Sequence, residues 1–269
     1  MMAARRVMRA PDSTFAAFYG GPDSNRTTRM KDLSGWTFAF DLDGTLVETA
    51  PDLIGTLNRL LAARGLAPRP VSAARHLVGH GAVALLKDGF REAGAEWDAA
   101  EEPTLLAAFL DDYLAHICDH SHVYPGVEAA LDRLAARGAI LCVATNKPTH
   151  LSLALFDRLG LTGRFAAICG ADAVSARKPD AAHIRETVAR AGGDPARAIM
   201  VGDSITDVSA ARATGVPVIV TTFGYTEIPA HDLGGDAVID GFGELEGAVD
   251  ALIARGLAYP NAAGYVPAS

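Results

Sequence analysis

The chain has 269 residues, of which 49 % are hydrophobic and 21 % charged. That balance describes a folded chain with a sizeable core, in one large domain or two smaller ones, and excludes disorder over most of its length. The formal net charge is −8, the wrong sign for a nucleic-acid surface, so an anionic substrate must find its cations locally. No apolar run reaches the ~18 residues of a membrane span, and neither nucleic acid nor membrane is an expected partner.

Residues 1–35 read as an N-terminal extension. The stretch is Arg-rich, broken by Gly and Pro, and lacks the apolar centre of a secretory signal. We expect it to be mobile; Met30 is a candidate for the natural start, because "MKDLSGWTFAFDLDG" opens the folded pattern directly. The first strand ends at Asp41 in "FAFDLDGTLVET", with Asp43 two residues on and a Gly-Thr pair after it. Two buried carboxylates without a cation are costly, so this pair needs a metal, a catalytic task or solvent.

From Pro51 to about Ser121 the pattern is helical: "PDLIGTLNRLLAARG", "GAVALLKDGFREAG" and "EEPTLLAAFLDDYLAHICDH". We read residues 49–123 as a helical domain of its own. At "YPGV" the rhythm changes. Helix "VEAALDRLAARG", strand "AILCVAT", helix "PTHLSLALFDRLG", strand "FAAICG", helix "DAAHIRETVARAGG", strand "RAIMVGD", helix "ITDVSAARATG" and strands "VPVIVTT" and "DAVID" follow with short loops. Alternation of this kind, with continuously apolar strands, predicts an α/β fold: a doubly wound, Rossmann-like parallel sheet with helices on both faces. The α/β core is assigned to 36–48 and 124–258, and a C-terminal tail to 259–269. Cys142 and Cys169 lie in apolar strands and Cys118 stands apart. With no C-x-x-C spacing they read as small hydrophobes in a reducing, cytoplasmic compartment.

Polar residues close several of these strands. "TFAF" ends at Asp41, "ILCVA" at Thr145 followed by Asn146 and Lys147, and "AIMVG" at Asp203, with Asp207 four residues later. "ARKPD" places Lys178 on a loop ahead of a helix. Singly, each has an ordinary reading as a turn, a helix start or a cap. Together they fall on one edge, because the carboxyl ends of parallel strands line the crevice where such folds bind ligands.

These four clusters resemble the motifs of the haloacid dehalogenase-like superfamily of phosphohydrolases: Asp-x-Asp in "DLDGT", a Thr in "ATNK", a Lys in "RKPD" and an acidic pair in "GDSITD". Within it, "VGHG", "ATNKP", "VGDSITDVSAARATGVP" and "FGYT" are similar to bacterial phosphoglycolate phosphatases, over about Phe38 to Val249. The helical insert resembles that family's cap domain. The resemblance implies a Mg²⁺-dependent phosphomonoester hydrolase acting through an aspartyl-phosphate, with a small-molecule phosphate ester, 2-phosphoglycolate, as substrate. Asp41 is then the nucleophile and Asp43 the general acid and base. Asp41, the carbonyl of Asp43 and Asp203 hold the metal, and Asp207 supports them. Thr145, Lys178 and the backbone near Gly44 and Asn146 bind phosphate. For the substrate carboxylate the candidates near "VGHG" are His80, Arg75 and Lys87. The alternatives are a phosphatase or mutase for another small ester, such as a sugar phosphate, and a non-catalytic binding protein on the same fold.

Overall fold

The structure, a computed structural model, describes residues 31–226 and 228–256; the side chains of His76 and His80 lie outside the described residues. In chain order it contains β1 (Thr37–Phe40), β2 (Val47–Glu48), α1 (Ala50–Ala63), α2 (Val71–Ala74) running into a 3₁₀ turn (Arg75–His80), α3 (Ala82–Glu92), α4 (Glu102–Ala115) and β3 (His122–Val123). Then come α5 (Val127–Ala136), β4 (Ile140–Ala144), α6 (Thr149–Leu159), β5 (Ala167–Cys169), α7 (Ala181–Arg190), β6 (Ala198–Gly202), α8 (Ile205–Thr214), β7 (Val218–Thr221), β8 (Ala237–Ile239) and α9 (Leu245–Ala254).

Six strands form one parallel sheet in the order β5-β4-β1-β6-β7-β8. The chain starts in the middle at β1, builds outward through β4 and β5, then crosses back to add β6, β7 and β8. This is the expected doubly wound α/β architecture, and its switch point lies at β1. Successive side chains of a strand point to opposite faces, and the core divides accordingly. Phe38, Phe40, Leu141, Val143, Ile199 and Val201 pack on one face with Leu131 and Leu134 of α5, Leu155 and Phe156 of α6 and Val249 of α9. Ala39, Cys142, Ala144, Ala198, Met200 and Val218 pack on the other with Ile184 and Val188 of α7 and Val208 and Ala211 of α8. Both phenylalanines of β1 project to the first face, and the alanines of the second let α7 and α8 approach it.

Besides the four-residue α2, two additions were not anticipated. β2 and β3 pair antiparallel, Val47 opposite Val123 and Glu48 opposite His122, in a ribbon that carries the chain out to the helical segment and back. Asp52, in the first turn of α1, fastens the same place: its buried carboxylate accepts the N–H groups of His120 and Ser121 and the Ser121 hydroxyl. The helical pattern expected through His120 accordingly stops at Ala115. α9 is the second addition, packed against α5.

The extension assigned to residues 1–35 lies outside the described residues up to residue 30. Beyond it the chain is fastened to the core. Leu33 is fully buried and its N–H donates to the Arg137 carbonyl at 2.7 Å, while Arg137 Nε donates to the Lys31 carbonyl. The folded part therefore begins before residue 36. The tail assigned to 259–269 lies wholly outside the described residues, which end at residue 256. Among the described residues no helix is long and apolar enough to cross a membrane.

Candidate active site

The carboxyl end of β1 is the centre of the site because β1 is flanked by β4 and β6. The Asp41 N–H still donates to the Val201 carbonyl. The chain then leaves the sheet in a tight loop in which the Leu42 carbonyl accepts the N–H groups of Thr45, Leu46 and Val47. Gly44 makes that loop possible at φ 82°, in the left-handed region that favours glycine. Its N–H donates to the Val47 carbonyl, so what it contributes is the turn and clearance: a Cβ there would sit 2.6 Å from Asp203 Oδ2. Gly224 clears the same carboxylate from the opposite side, where a Cβ would lie 2.2 Å away.

Carboxylates and ammoniums alternate around this point. Lys178 Nζ lies 2.6 Å from Asp207 Oδ1 and 2.9 Å from Asp41 Oδ1. Lys147 Nζ lies 3.0 and 3.3 Å from the two oxygens of Asp43. Asp43 Oδ1 also accepts the Thr49 hydroxyl at 2.6 Å. Asp203 is held by the Thr45 hydroxyl at 2.8 Å and the Tyr225 N–H at 2.7 Å. Asp207 is saturated: beyond Lys178 it accepts the N–H groups of Asp203 and Ser204 and the Ser204 hydroxyl, in a capping box that starts α8. Its work is to hold Lys178 and the β6 loop. Thr145 is buried, its N–H on the Cys169 carbonyl and its hydroxyl accepting the Lys147 N–H. The Asn146 side chain clasps the Lys178 backbone, donating to its carbonyl and accepting its N–H, both at 3.0 Å.

Asp41 and Asp203 resist ionisation in the protein alone. Burial pushes the Asp41 carboxyl up to about 6, opposed by Lys178 and assisted by Asp207 and Asp43. Burial pushes Asp203 up to about 8, with Asp207 and Asp41 adding to the shift. Burial alone would lower Lys178, but Asp207 and Asp41 outweigh it and the ammonium is raised.

One oxygen from each of Asp41, Asp203 and Asp207 lies within 4.8 Å of the others. Asp41 Oδ1 is buried with no aligned hydrogen bond, Lys178 serving it as an ion-pair partner only. Ionised, Asp41, Asp43, Asp203 and Asp207 carry four negative charges against two positive ones on Lys147 and Lys178, a local deficit of two. Hard oxygen donors with that deficit fit a divalent cation.

These groups open into a cavity of about 100 Å³ roofed by Val78, Leu85, Phe109 and Tyr113 of the helical segment. Two of the cap cations considered for the cleft are engaged elsewhere or exposed. Arg75 binds Glu48, the Tyr124 hydroxyl and the Phe223 carbonyl, and Lys87 is on the surface. The backbone of His80 closes the 3₁₀ turn, and its side chain lies outside the described residues. Sequence reasoning missed Lys147, Tyr225 and His183. The signals for the first two were present, a lysine two residues past a strand end and the tyrosine of "FGYT"; His183 had none.

Residues 38–221 match the family model of the haloacid dehalogenase-like hydrolases. A phosphoglycolate phosphatase of Caulobacter vibrioides is 51 % identical over 213 residues, 79 % of this chain and 90 % of that protein. A phosphoglycolate phosphatase of Agrobacterium fabrum is 46 % identical over 220 residues, 81 % of this chain and 94 % of that protein. The crystal structure of a predicted phosphoglycolate phosphatase from Haemophilus somnus superposes with a TM-score of 0.73 at 29 % identity, over 81 % of this chain and 98 % of that one. The Asp-x-Asp loop at the switch point thus sits inside a match that spans most of the chain and most of its relatives, and the chain belongs to the haloacid dehalogenase-like hydrolases.

Proposed function

We propose that the chain hydrolyses 2-phosphoglycolate to glycolate and phosphate through an aspartyl-phosphate on Asp41. The observation that carries this reading is the pair of carboxylates two residues apart on one cavity, each against its own lysine: Asp41 with Lys178, Asp43 with Lys147. The substrate comes from the printed names of relatives that are similar over nearly their whole length.

In the first step an Asp41 oxygen attacks phosphorus and the bond to the ester oxygen breaks. Asp43, protonated, gives its proton to the departing alkoxide. In the second step Asp43 takes a proton from water, whose oxygen attacks phosphorus and frees Asp41. The Thr49 hydroxyl orients Asp43 throughout. Lys178, fixed by Asp207 and by the Asn146 clasp, faces the phosphoryl oxygens beside Thr145. Mg²⁺ would be held by Asp41 and Asp203 with the Asp43 carbonyl, and supplies positive charge against the phosphoryl group. The helical segment acts as the cap. Its apolar roof excludes water and offers a sugar ring few hydrogen-bond partners. Free Cys118, Cys142 and Cys169 fit a cytoplasmic enzyme.

The test is a kcat/KM panel in Mg²⁺ with a chelator control, comparing 2-phosphoglycolate with sugar phosphates, nucleotides and pyrophosphate. A preference for 2-phosphoglycolate of at least tenfold is expected. Preference for another ester sinks the substrate and leaves the phosphatase; no hydrolysis of any ester sinks both.

A further inference from the structure

A two-carbon carboxylated phosphate ester brings two anionic groups into the cleft, and the residues assigned above account for one of them. Of the described residues that line the cavity, the cations are Lys147 and Lys178. Lys178 is committed to Asp41, Asp207 and the phosphoryl side. None of the described arginines of the helical segment lines the cavity, and Arg59, Arg69 and Arg75 are ion-paired, with Asp112, Glu92 and Glu48. Lys147 is left.

Its placement suits the second anion. The side chain is 4 % exposed and reaches the cavity from the loop after β4. Its Nζ lies 4.4 Å from the centre of the Tyr113 ring, so a residue of α4 covers it. The Tyr113 hydroxyl is buried and without a hydrogen-bond partner, a second donor in the cavity wall. An ammonium has three N–H groups, and Asp43 does not use them all.

Distance adds the decisive point. A general acid works within about 2.6–3.2 Å of the oxygen it protonates. In 2-phosphoglycolate that ester oxygen and the carboxylate are joined through one carbon–carbon bond, which separates the oxygens by about 3 Å. Lys147 Nζ is 3.0 Å from Asp43 Oδ1. An ester oxygen that touches Asp43 therefore leaves the carboxylate of a two-carbon acid within reach of Lys147. A longer acid carries its charge past it, and a neutral leaving group brings none.

We propose that Lys147, assisted by the Tyr113 hydroxyl, is the carboxylate receptor of this site and sets its preference for short carboxylated phosphate esters. This deepens the phosphatase reading and rests on it. The cation that receives the substrate's carboxylate is then supplied by the sheet loop, next to the group that moves the proton, and the helical segment supplies the cover.

The test compares 2-phosphoglycolate with ethyl phosphate, which has the same two-carbon frame without the carboxylate, on the full chain with Mg²⁺. The wild type should favour 2-phosphoglycolate in kcat/KM by at least 100-fold. In Lys147→Gln that ratio should fall at least 30-fold, mainly through KM for 2-phosphoglycolate, and Lys147→Arg should keep it within about tenfold of wild type. Because Gln also leaves Asp43 without its lysine, both esters slow down, and the ratio isolates the carboxylate. A ratio unchanged in a Gln variant that still turns over overturns the proposal and leaves the phosphatase standing. So does a wild type that hydrolyses both esters equally, which needs no variant to fold. A wild type that hydrolyses neither overturns both readings.

Discussion

The Tyr225 N–H lies 2.7 Å from Asp203 Oδ2, while the hydroxyl at the far end of the same residue accepts the N–H groups of Thr49 and Ala50 and donates to Glu48. One residue thus joins a carboxylate of the candidate cation site to the point where the chain leaves the sheet for the helical segment. Arg75 stacks over its ring at 4.8 Å and binds Glu48 from the other side. A movement of the helical segment that displaces Arg75 is felt at Asp203 through two covalently linked contacts.

Tyr225→Phe removes only the hydroxyl and leaves the buried Thr49 N–H short of an acceptor, while the Ala50 N–H keeps Glu48 Oε1 at 3.2 Å. An unsatisfied buried donor costs on the order of 1–3 kcal/mol. Urea denaturation should therefore show a loss in that range with an unchanged slope. A loss below about 0.5 kcal/mol, within the usual effect of a surface change, would mean that the Thr49 amide finds another acceptor in the variant.

Asp41→Asn keeps the size of the side chain and removes the nucleophilic charge. Loss of a covalent nucleophile reduces kcat on the order of 10⁴-fold or more. Acid quench of the wild type with labelled substrate should trap a phosphoprotein that the variant does not form. Circular dichroism should match the wild type, since Asp41 is joined to the sheet through its backbone. A variant that keeps its activity removes Asp41 as nucleophile.

The chemistry-bearing residues were legible to different depths. Asp41, Asp43, Thr145 and Asp203 were readable because they close short apolar runs, and a parallel sheet forces such ends together whatever their distance along the chain; Lys178 was readable only through "RKPD" ahead of a helix. Lys147 was not, because "TNK" alone reads as a turn and only the path of the loop after β4 decides which of its side chains faces the cleft. Arg75 was drawn towards the cleft by its neighbours in sequence, but Glu48 and Tyr124, remote in sequence, hold it at the β2–β3 ribbon. That ribbon has two residues per strand, too few for any periodicity. α9 begins without a capping side chain and escaped notice for the same kind of reason.

Metal and pH should act on stability in opposition to each other. Asp41 and Asp203 titrate above an ordinary carboxyl, at about 6 and about 8. The folded protein without cation therefore holds protons that the unfolded chain has released. Stability from these two groups is full below about pH 4 and declines as pH rises towards 8. A divalent cation replaces those protons, so the increase in Tm on adding Mg²⁺ should be larger at pH 8 than at pH 6. Asp203→Asn should reduce that difference. An equal or smaller increase at pH 8 contradicts the assignment of these carboxylates to the cation.

His183 should give the acid limb. It is fully buried on α7, accepts the Lys178 N–H at Nδ1 (3.2 Å) and faces the Cys169 carbonyl at Nε2 (3.3 Å). That pattern needs the neutral ring with its proton on Nε2. Burial, and then the charge of Lys178, lowers its pKa from 6.5 to about 4. Between those values the unfolded chain binds a proton that the folded one refuses, so this contribution is full above about pH 6.5 and is lost as pH falls towards 4. Protonation sets an Nδ1–H against the Lys178 N–H, two donors face to face, and the loop that aims Lys178 must give way. In saturating Mg²⁺, where the cation takes the place of the carboxyl protons, the wild type should lose stability and activity together between pH 6 and 4.5. His183→Gln keeps an acceptor in reach of the same N–H and has no charge to gain, so its stability should vary less with pH over that interval. An equally steep loss in the variant would place the acid sensitivity in other groups.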